Sequence, residues 1–574
     1  MNAIIKVHLH RKLSILAMLA ALAAAVGLGL LQNSLAAASD QGKGRVLLTG
    51  RVVDFQDQPV ENAKIYTLSP YSEAAAETES HADGSWILLL PDSMPTPLEI
   101  GIERPHFVSQ TIPLPDDAQT QMNDSGVYDV GEIRLERHIT AAFWISLVIF
   151  IGVLLLIAFE RMHNTTAALT GLSAVFLVTY VGGTLNPDWY IMSFERAMHF
   201  INWEVIFLVM AMMIVVAVIE RTGIFQWTAF QAYRLSRGHS SVLVLILMGI
   251  TAIASALLDN FTTMLLMTPI SLQIGMALGI NPLALIIPEV LASNVGGIST
   301  LIGTPTNILI GAYAEIGFSD FLANQTIGVV IALVAMGGYV LYHYRHEWRK
   351  HGGGISETLY ERLKQNARLK DPGGLWKSGI VFVLVIAGFV VGERYHVVPA
   401  VPALVGATLL LVWLKPDVHS MIHAIDWTTL VFFMALFIVV GAVQEVGVMS
   451  FAAVWMAGLI GENLLLGVFV IVFGVGTLSV GIANIPLAAS MLPIVEFLSG
   501  SIPGAGNKVL YYALSMGAAM GGNGLLIAAE ANLVTAGITA QAGTRISFRE
   551  FMRVGLPVTY ITLLIGFLWL AIRF

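Results

Sequence analysis

Cysteine is absent from all 574 residues, which excludes disulfide bonds and thiolate metal sites and leaves the redox compartment open. Charge is nearly as scarce. Asp, Glu, Lys and Arg make up 12% of the chain against 56% hydrophobic residues, and the mean hydropathy is +0.76. Soluble domains carry about 25% charged residues, so a polytopic membrane protein in contact with the lipid bilayer is expected. The net charge of −8 has little weight, because orientation follows Lys and Arg near span ends. No Gly-x-x-x-x-Gly-Lys-Ser/Thr loop occurs, which weighs against ATP-driven transport. No enzymatic activity, cofactor or nucleic-acid partner is expected.

What the chain has instead is a helix broken at membrane depth. Ser293-Asn-Val-Gly-Gly-Ile-Ser-Thr-Leu-Ile-Gly-Thr-Pro-Thr-Asn307 lies in an apolar region, yet it holds three glycines, a proline and several small polar residues. An unpaired backbone group in hydrocarbon costs several kcal/mol, so such a break needs protein or a water-filled cavity around it. Freed carbonyls and half-helix ends suit ions and small charged solutes. A Gly-rich packing surface between helices is the other reading. Met520-Gly-Gly-Asn-Gly-Leu-Leu-Ile-Ala-Ala-Glu-Ala-Asn532 repeats the design, and a pair of such segments points to a transport site.

The N-terminus reads as a secretory signal over residues 1–38, with Lys6, Arg11 and Lys12 before an apolar run from Leu13 to Leu31, or as an uncleaved signal anchor. Residues 45–136 then alternate in short strands (Arg45–Asp54, Ala63–Thr67, Trp86–Leu90, Leu98–Arg104, Val127–Leu135) with a turn at Asp83-Gly84, which predicts an exported β-sandwich. The pattern Gly50-x-Val-x-Asp…Pro59-Val60…Asp83-Gly84…Pro105-His-Phe107 resembles the carboxypeptidase regulatory-like domain. His81 and His106 read as surface residues, and the domain as a cap or a docking module for a periplasmic partner.

Spans are predicted near 139–158, 166–183, 203–221, 284–315 and 325–344, then 377–393, 398–414, 427–446, 506–540 and 552–572. The loop from Arg345 to Lys377 is basic and belongs on the cytoplasmic side. It agrees with the other charged turns only if Val242 to Ile274 is a re-entrant hairpin. Two repeats emerge, 138–344 and 377–574, joined by a linker at 345–376. His199-x-Ile-Asn-Trp203…Met210-Ala211…Val215-Val216…Gly223 matches His423-x-Ile-Asp-Trp427…Met434-Ala435…Val439-Val440…Gly447 at a constant offset, 427 − 203 = 224. Five crossings per repeat would place the halves inverted in an inner (plasma) membrane, with the site at their interface.

Each half offers a hairpin tip and a broken helix. Asp259 is the only acid between Glu220 and Glu289, and an intramembrane carboxylate is a cation ligand or proton carrier by default; capping a half-helix is the structural alternative. Asn260, Thr262 and Thr263 add neutral oxygen donors. Glu289 precedes the first broken span, and Glu530 lies in the second, aligned with Pro305. His199, His423, Trp203 and Trp427 read as interface anchors.

Ile201–Val205, Gln231–Gly238, Leu257–Leu266, Ser293–Asn307 and Gly521–Asn532 resemble the ion transporter superfamily, in the branch of arsenite permeases, D-type sodium/proton antiporters and the melanosomal P protein, over roughly residues 138–574. The resemblance implies a scaffold and transport domain in a homodimer, with paired ion sites and a substrate site between them. Carried onto this chain, the candidate binding residues are Asp259, Asn260, Thr262, Thr263, Asn294, Gly296, Gly297, Ser299, Thr300, Gly303, Thr304 and Asn307 in the first half. In the second they are Asn484, Pro486, Gly521, Gly522, Asn523, Gly524, Glu530 and Asn532. Na⁺ would sit near Asp259, Asn260 and Asn307, and near Asn484, Asn523 and Asn532. The chain departs from the family at Thr304 and Ala483, where acids are usual, and at Glu530, where a small residue is usual. The expected function is secondary transport of a small inorganic or carboxylate anion, in the manner of a citrate transporter, coupled to Na⁺ or H⁺. Na⁺/H⁺ antiport and a transporter-derived sensor are the alternatives.

Overall fold

Alternation in the N-terminal region builds two sheets in the computed structural model, which describes residues 46–55, 57–68, 76–90, 99–115, 127–159, 161–237, 239–350, 365 and 368–574. The expected signal segment lies outside these residues, as do residues 351–364, 366 and 367 of the basic linker. The chain divides into two compact units after His138. In the first, β1 (Val46–Asp54) pairs antiparallel with β4 (Ser85–Leu90) and parallel with β7 (Val127–Leu135). The second sheet runs β3 (Glu77–Glu79), β2 (Lys64–Leu68), β5 (Glu99–Glu103), β6 (Gln110–Pro113). Period-two alternation turns Leu48 and Val52 of β1 and Trp86 and Leu88 of β4 into one core with Ile65, Ile100 and Ile102 from the other sheet. Gly50 is needed beside Trp86, because a Cβ there would sit 2.7 Å from the indole ring. His81 is exposed, but His106 is not the surface residue its sequence suggests. It is buried at φ +66, and its carbonyl accepts from His138 N at 2.9 Å.

The second unit is helical and reads as two sets of ten. The first set is α1 (Ala141–Ala158), α2 (Asn164–Leu177, continued to Leu185), α3 (Phe194–His199), α4 (Trp203–Glu220), α5 (Ile224–Leu235), α6 (Ser240–Leu257), α7 (Asn260–Leu278), α8 (Leu283–Gly296), α9 (Pro305–Ala314) and α10 (Phe318–His343). The second is α11 (Pro372–Gly392), α12 (Ala400–Leu414), α13 (Val418–His423), α14 (Trp427–Glu445), α15 (Val448–Ile460), α16 (Leu464–Phe469, continued to Ser479), α17 (Asn484–Ser501), α18 (Val509–Gly521), α19 (Glu530–Gln541) and α20 (Phe548–Arg573). Helices α3 to α7 start 224 residues before α13 to α17 (203 to 427, 260 to 484). Nine helices among the described residues are long and apolar enough to cross a membrane.

Local sequence sets these ends. Asn202 caps α4 by accepting from Val205 N at 3.1 Å, and its repeat partner Asp426 caps α14 by accepting from Thr428 N at 3.0 Å. Gly223 and Gly447, at φ +82 and +90, make the left-handed turns into α5 and α15, a pair of short helices with no counterpart among the predicted spans. The stretch 242–274 forms α6 and α7, two arms of 18 and 19 residues that break at Leu258-Asp259. Each arm is about 27 Å long, so the re-entrant reading rests on charge placement and not on length. The halves are tied crosswise at their rims. Arg196 of α3 meets Glu445 at the end of α14 at 3.1 Å, and Arg221, after α4, donates to Ser420 Oγ of α13 at 2.7 Å.

Candidate functional site

The first break runs from Gly297 to Thr304. Gly297 and Gly303 face each other so closely that a Cβ on either would collide with the other's carbonyl oxygen. Thr300 Oγ1 donates to Ala256 O and accepts from Gly303 N at 3.1 Å. Thr304 then caps α9 by accepting from Asn307 N at 3.1 Å. Asn307 Nδ2 takes up two freed carbonyls of the break, Ile298 O at 3.0 Å and Thr300 O at 2.8 Å. The second half repeats this. Asn532 Nδ2 donates to Gly522 O at 2.8 Å and Leu525 O at 3.0 Å. Broken backbone is tolerated here because buried amides supply the missing partners.

The asparagines do not keep to their own halves. Asn294 is a hub: its Nδ2 donates to Asn523 Oδ1 at 2.9 Å and Asn532 Oδ1 at 3.0 Å, while its Oδ1 accepts from Asn260 Nδ2 at 2.9 Å. Asn523 Nδ2 reaches Leu291 O at 3.3 Å. A second tie runs the other way, from Ser515 Oγ of α18 to Asn307 Oδ1 at 2.6 Å. These side chains are buried, and their oxygens already accept bonds within the protein. Asn484 and Pro486 lie in the first turn of α17, buried, and the Asn294 bonds join Asn523 to Asn532 without Asn484. Likewise Asn260 and Asn307 belong to different bonded groups. Thr263 Oγ1 is buried without a partner, and Ser299 is buried beside α10, its carbonyl accepting from Thr326 at 3.4 Å. Gly296, Gly521, Gly522 and Gly524 serve the close packing around both breaks: a Cβ on Gly296 would meet the Ala252 backbone, and one on Gly524 the Val480 side chain.

The acids gather elsewhere, around one narrow cavity. Asp259, Asp426 and Glu530 line it together with Pro305, Phe261, Ile302, Thr429 and Met213. Asp259 also caps α7 by accepting from Thr262 N at 2.7 Å, so the capping reading holds for a carboxylate that also lines this cavity. Pro305 and Glu530 are the first residues of α9 and α19, so both half-helix N-termini open on this space. Among the described residues, no Lys, Arg or His lines it. As placed, no group of three or more His, Asp or Glu among the described residues is close enough to hold a metal ion. Sequence reasoning passed over Asp426, which stands beside an interfacial tryptophan; its signal was the Asn-to-Asp change in an otherwise repeated motif.

A helical membrane unit with two broken helices around an acid-lined cavity defines a solute carrier. The sequence comparisons make it specific: residues 154–507 match the citrate transporter family, CitMHS, and the chain belongs to that family. It is 36% identical over 431 residues to an uncharacterized transporter of Mycobacterium tuberculosis, covering 75% of this chain and 98% of that protein. An uncharacterized transporter of Synechocystis is 32% identical over 449 residues, covering 74% and 96%. The human P protein is 31% identical over 510 residues, covering 75% of this chain and 59% of the P protein. The crystal structure of the Alcanivorax borkumensis YdaH transporter shares the fold, with a TM-score of 0.50 at 13% identity, covering 72% of this chain and 98% of that one.

Proposed function

We propose that this transporter moves a small carboxylate or inorganic anion across the membrane together with Na⁺ or H⁺, bound at the cavity where α9 and α19 begin. The observation that carries the reading is the meeting of both half-helix N-termini with Asp259, Asp426 and Glu530 in one buried space. The positive dipole end of α9 favours an anion, and the carboxylates favour the coupling cation. Glu530, at the start of α19, opposes an anion there, so the two halves bind unequally. The absence of a basic side chain along the cavity favours a second reading, Na⁺/H⁺ exchange with no anion moved.

Proteoliposomes separate the two. Radiolabelled citrate, followed by other carboxylates and oxyanions, should accumulate inside when an inward Na⁺ or H⁺ gradient is imposed and stay at leak level without one. Sodium-driven proton release with no uptake of any anion would establish exchange instead.

The same reading places residues 45–136 and the C-terminus on the exported side, the basic linker in the cytoplasm, and two copies in a dimer. Single cysteines introduced into this cysteine-free chain test the topology. An impermeant maleimide added outside should label position 81 and leave position 370 unlabelled, and the reverse pattern would overturn the arrangement.

A further inference from the structure

One buried acid has no part in the cavity. Glu289 lies midway along α8, fully enclosed, where α8 packs against α6 and α7. Its Oε2 accepts from Ser271 Oγ of α7 at 2.9 Å and, more weakly, from Thr251 Oγ1 of α6 at 3.5 Å. Its Oε1 is buried without a hydrogen-bond partner among the described residues. Helices α6, α7 and α18 carry no charged residue along their length. The charged residues of the other packed helices are Asp320 and His343 of α10, Glu530 of α19, and Arg549, Glu550, Arg553 and Arg573 of α20. None of them forms an ion pair with Glu289.

The surroundings favour a group that changes its proton. A lone carboxylate held permanently out of water would cost several kcal/mol, and a proton on Oε1 removes that cost. Two hydroxyls nevertheless point at Oε2, and donors of this kind support the charged form. From this point a polar seam follows the α6–α8 contact toward the first break. Ser255 Oγ donates to Ser293 O at 2.8 Å, Ser293 Oγ donates to Asn260 O at 3.3 Å, and Thr300 Oγ1 donates to Ala256 O. Glu289 stands five residues before the hub Asn294, about 7.5 Å along the helix.

We infer that Glu289 is a proton-exchanging site, taking up a proton in one state of the transport cycle and releasing it in the other, so that H⁺ is a coupling ion. The inference rests on the transport reading above. The step is a proton transfer: an O–H bond of hydronium breaks as one forms at Oε1, giving the neutral carboxyl and water, and release is the reverse.

Infrared difference spectra of the purified full-length protein, cycled between acid and alkaline pH, test the site without any substrate. The wild type should show a reversible carboxyl C=O component that Glu289→Gln removes, since the amide keeps the shape and cannot titrate. Ser271→Ala should keep that component and move its frequency, because it deletes the nearest donor. A spectrum in which Glu289→Gln loses nothing, or a Glu289 band that ignores pH, overturns the inference. In proteoliposomes, Glu289→Gln should still equilibrate radiolabelled citrate but lose its accumulation against a pH gradient, and wild-type accumulation would also overturn it. If the wild type carries no citrate or other anion, the transport reading fails by itself, and the infrared band still decides whether Glu289 exchanges a proton.

Discussion

Replacing Asn294 with Leu is expected to abolish transport and lower the melting temperature of the membrane unit by about 3–10 °C. Leu has the same number of side-chain heavy atoms as Asn but removes both ends of the hub. Asn260 Nδ2, Asn523 Oδ1 and Asn532 Oδ1 each lose a bond, and all three side chains are buried. Each stranded polar group costs about 1–3 kcal/mol, against a total stability on the order of 5–15 kcal/mol for a folded domain. Thermal melting in detergent with parallel proteoliposome uptake checks the prediction. Wild-type values in both would show that these amides find other partners and that the hub does not hold the breaks together.

Asp259→Asn should leave the fold intact and remove ion coupling. Asn caps helices about as well as Asp, so the bond to Thr262 N has a substitute and only the charge is lost. A unit charge about 4 Å from a bound cation contributes about 4 kcal/mol at an effective dielectric of 20, so cation affinity should fall by roughly a hundredfold or more. Uptake should then proceed at the same rate with or without the ion gradient. Ala483→Asp, at the repeat position of Asp259, should strengthen cation dependence or introduce a new one. Unchanged ion and pH dependence in Asp259→Asn would reduce Asp259 to a cap.

The breaks were legible because their chemistry is local. Three glycines, a proline and Asn307 within fifteen residues cannot continue a lipid-facing helix, and the same holds around Gly521 and Asn532. The hairpin tip at Asp259 and the position of Glu530 opposite Pro305 follow from single residues in apolar surroundings. What stayed hidden depends on distance in the chain. Asn294 and Asn532 are 238 residues apart, and no pattern within either segment shows that one amide satisfies the other. Asp426 was hidden by its neighbour Trp427, since an acid beside a tryptophan at a span end has a sufficient interfacial explanation. Strands β3 and β6 have three and four residues, too few for alternation to register. The helices α5 and α15 were missed because 12 and 13 residues fall short of a span.

The crossed bonds from Asn294 to Asn523 and Asn532, and from Ser515 to Asn307, have a mechanical consequence. Separating the two broken helices would break all three of these buried bonds at once, at a cost of about 1–3 kcal/mol for each stranded group. Under the transport reading proposed above, the stitched pair is expected to shift as one block past the surrounding helices, like a bolt in its housing. A ligand at one break that changed affinity at the other would have its own affinity changed by the same factor.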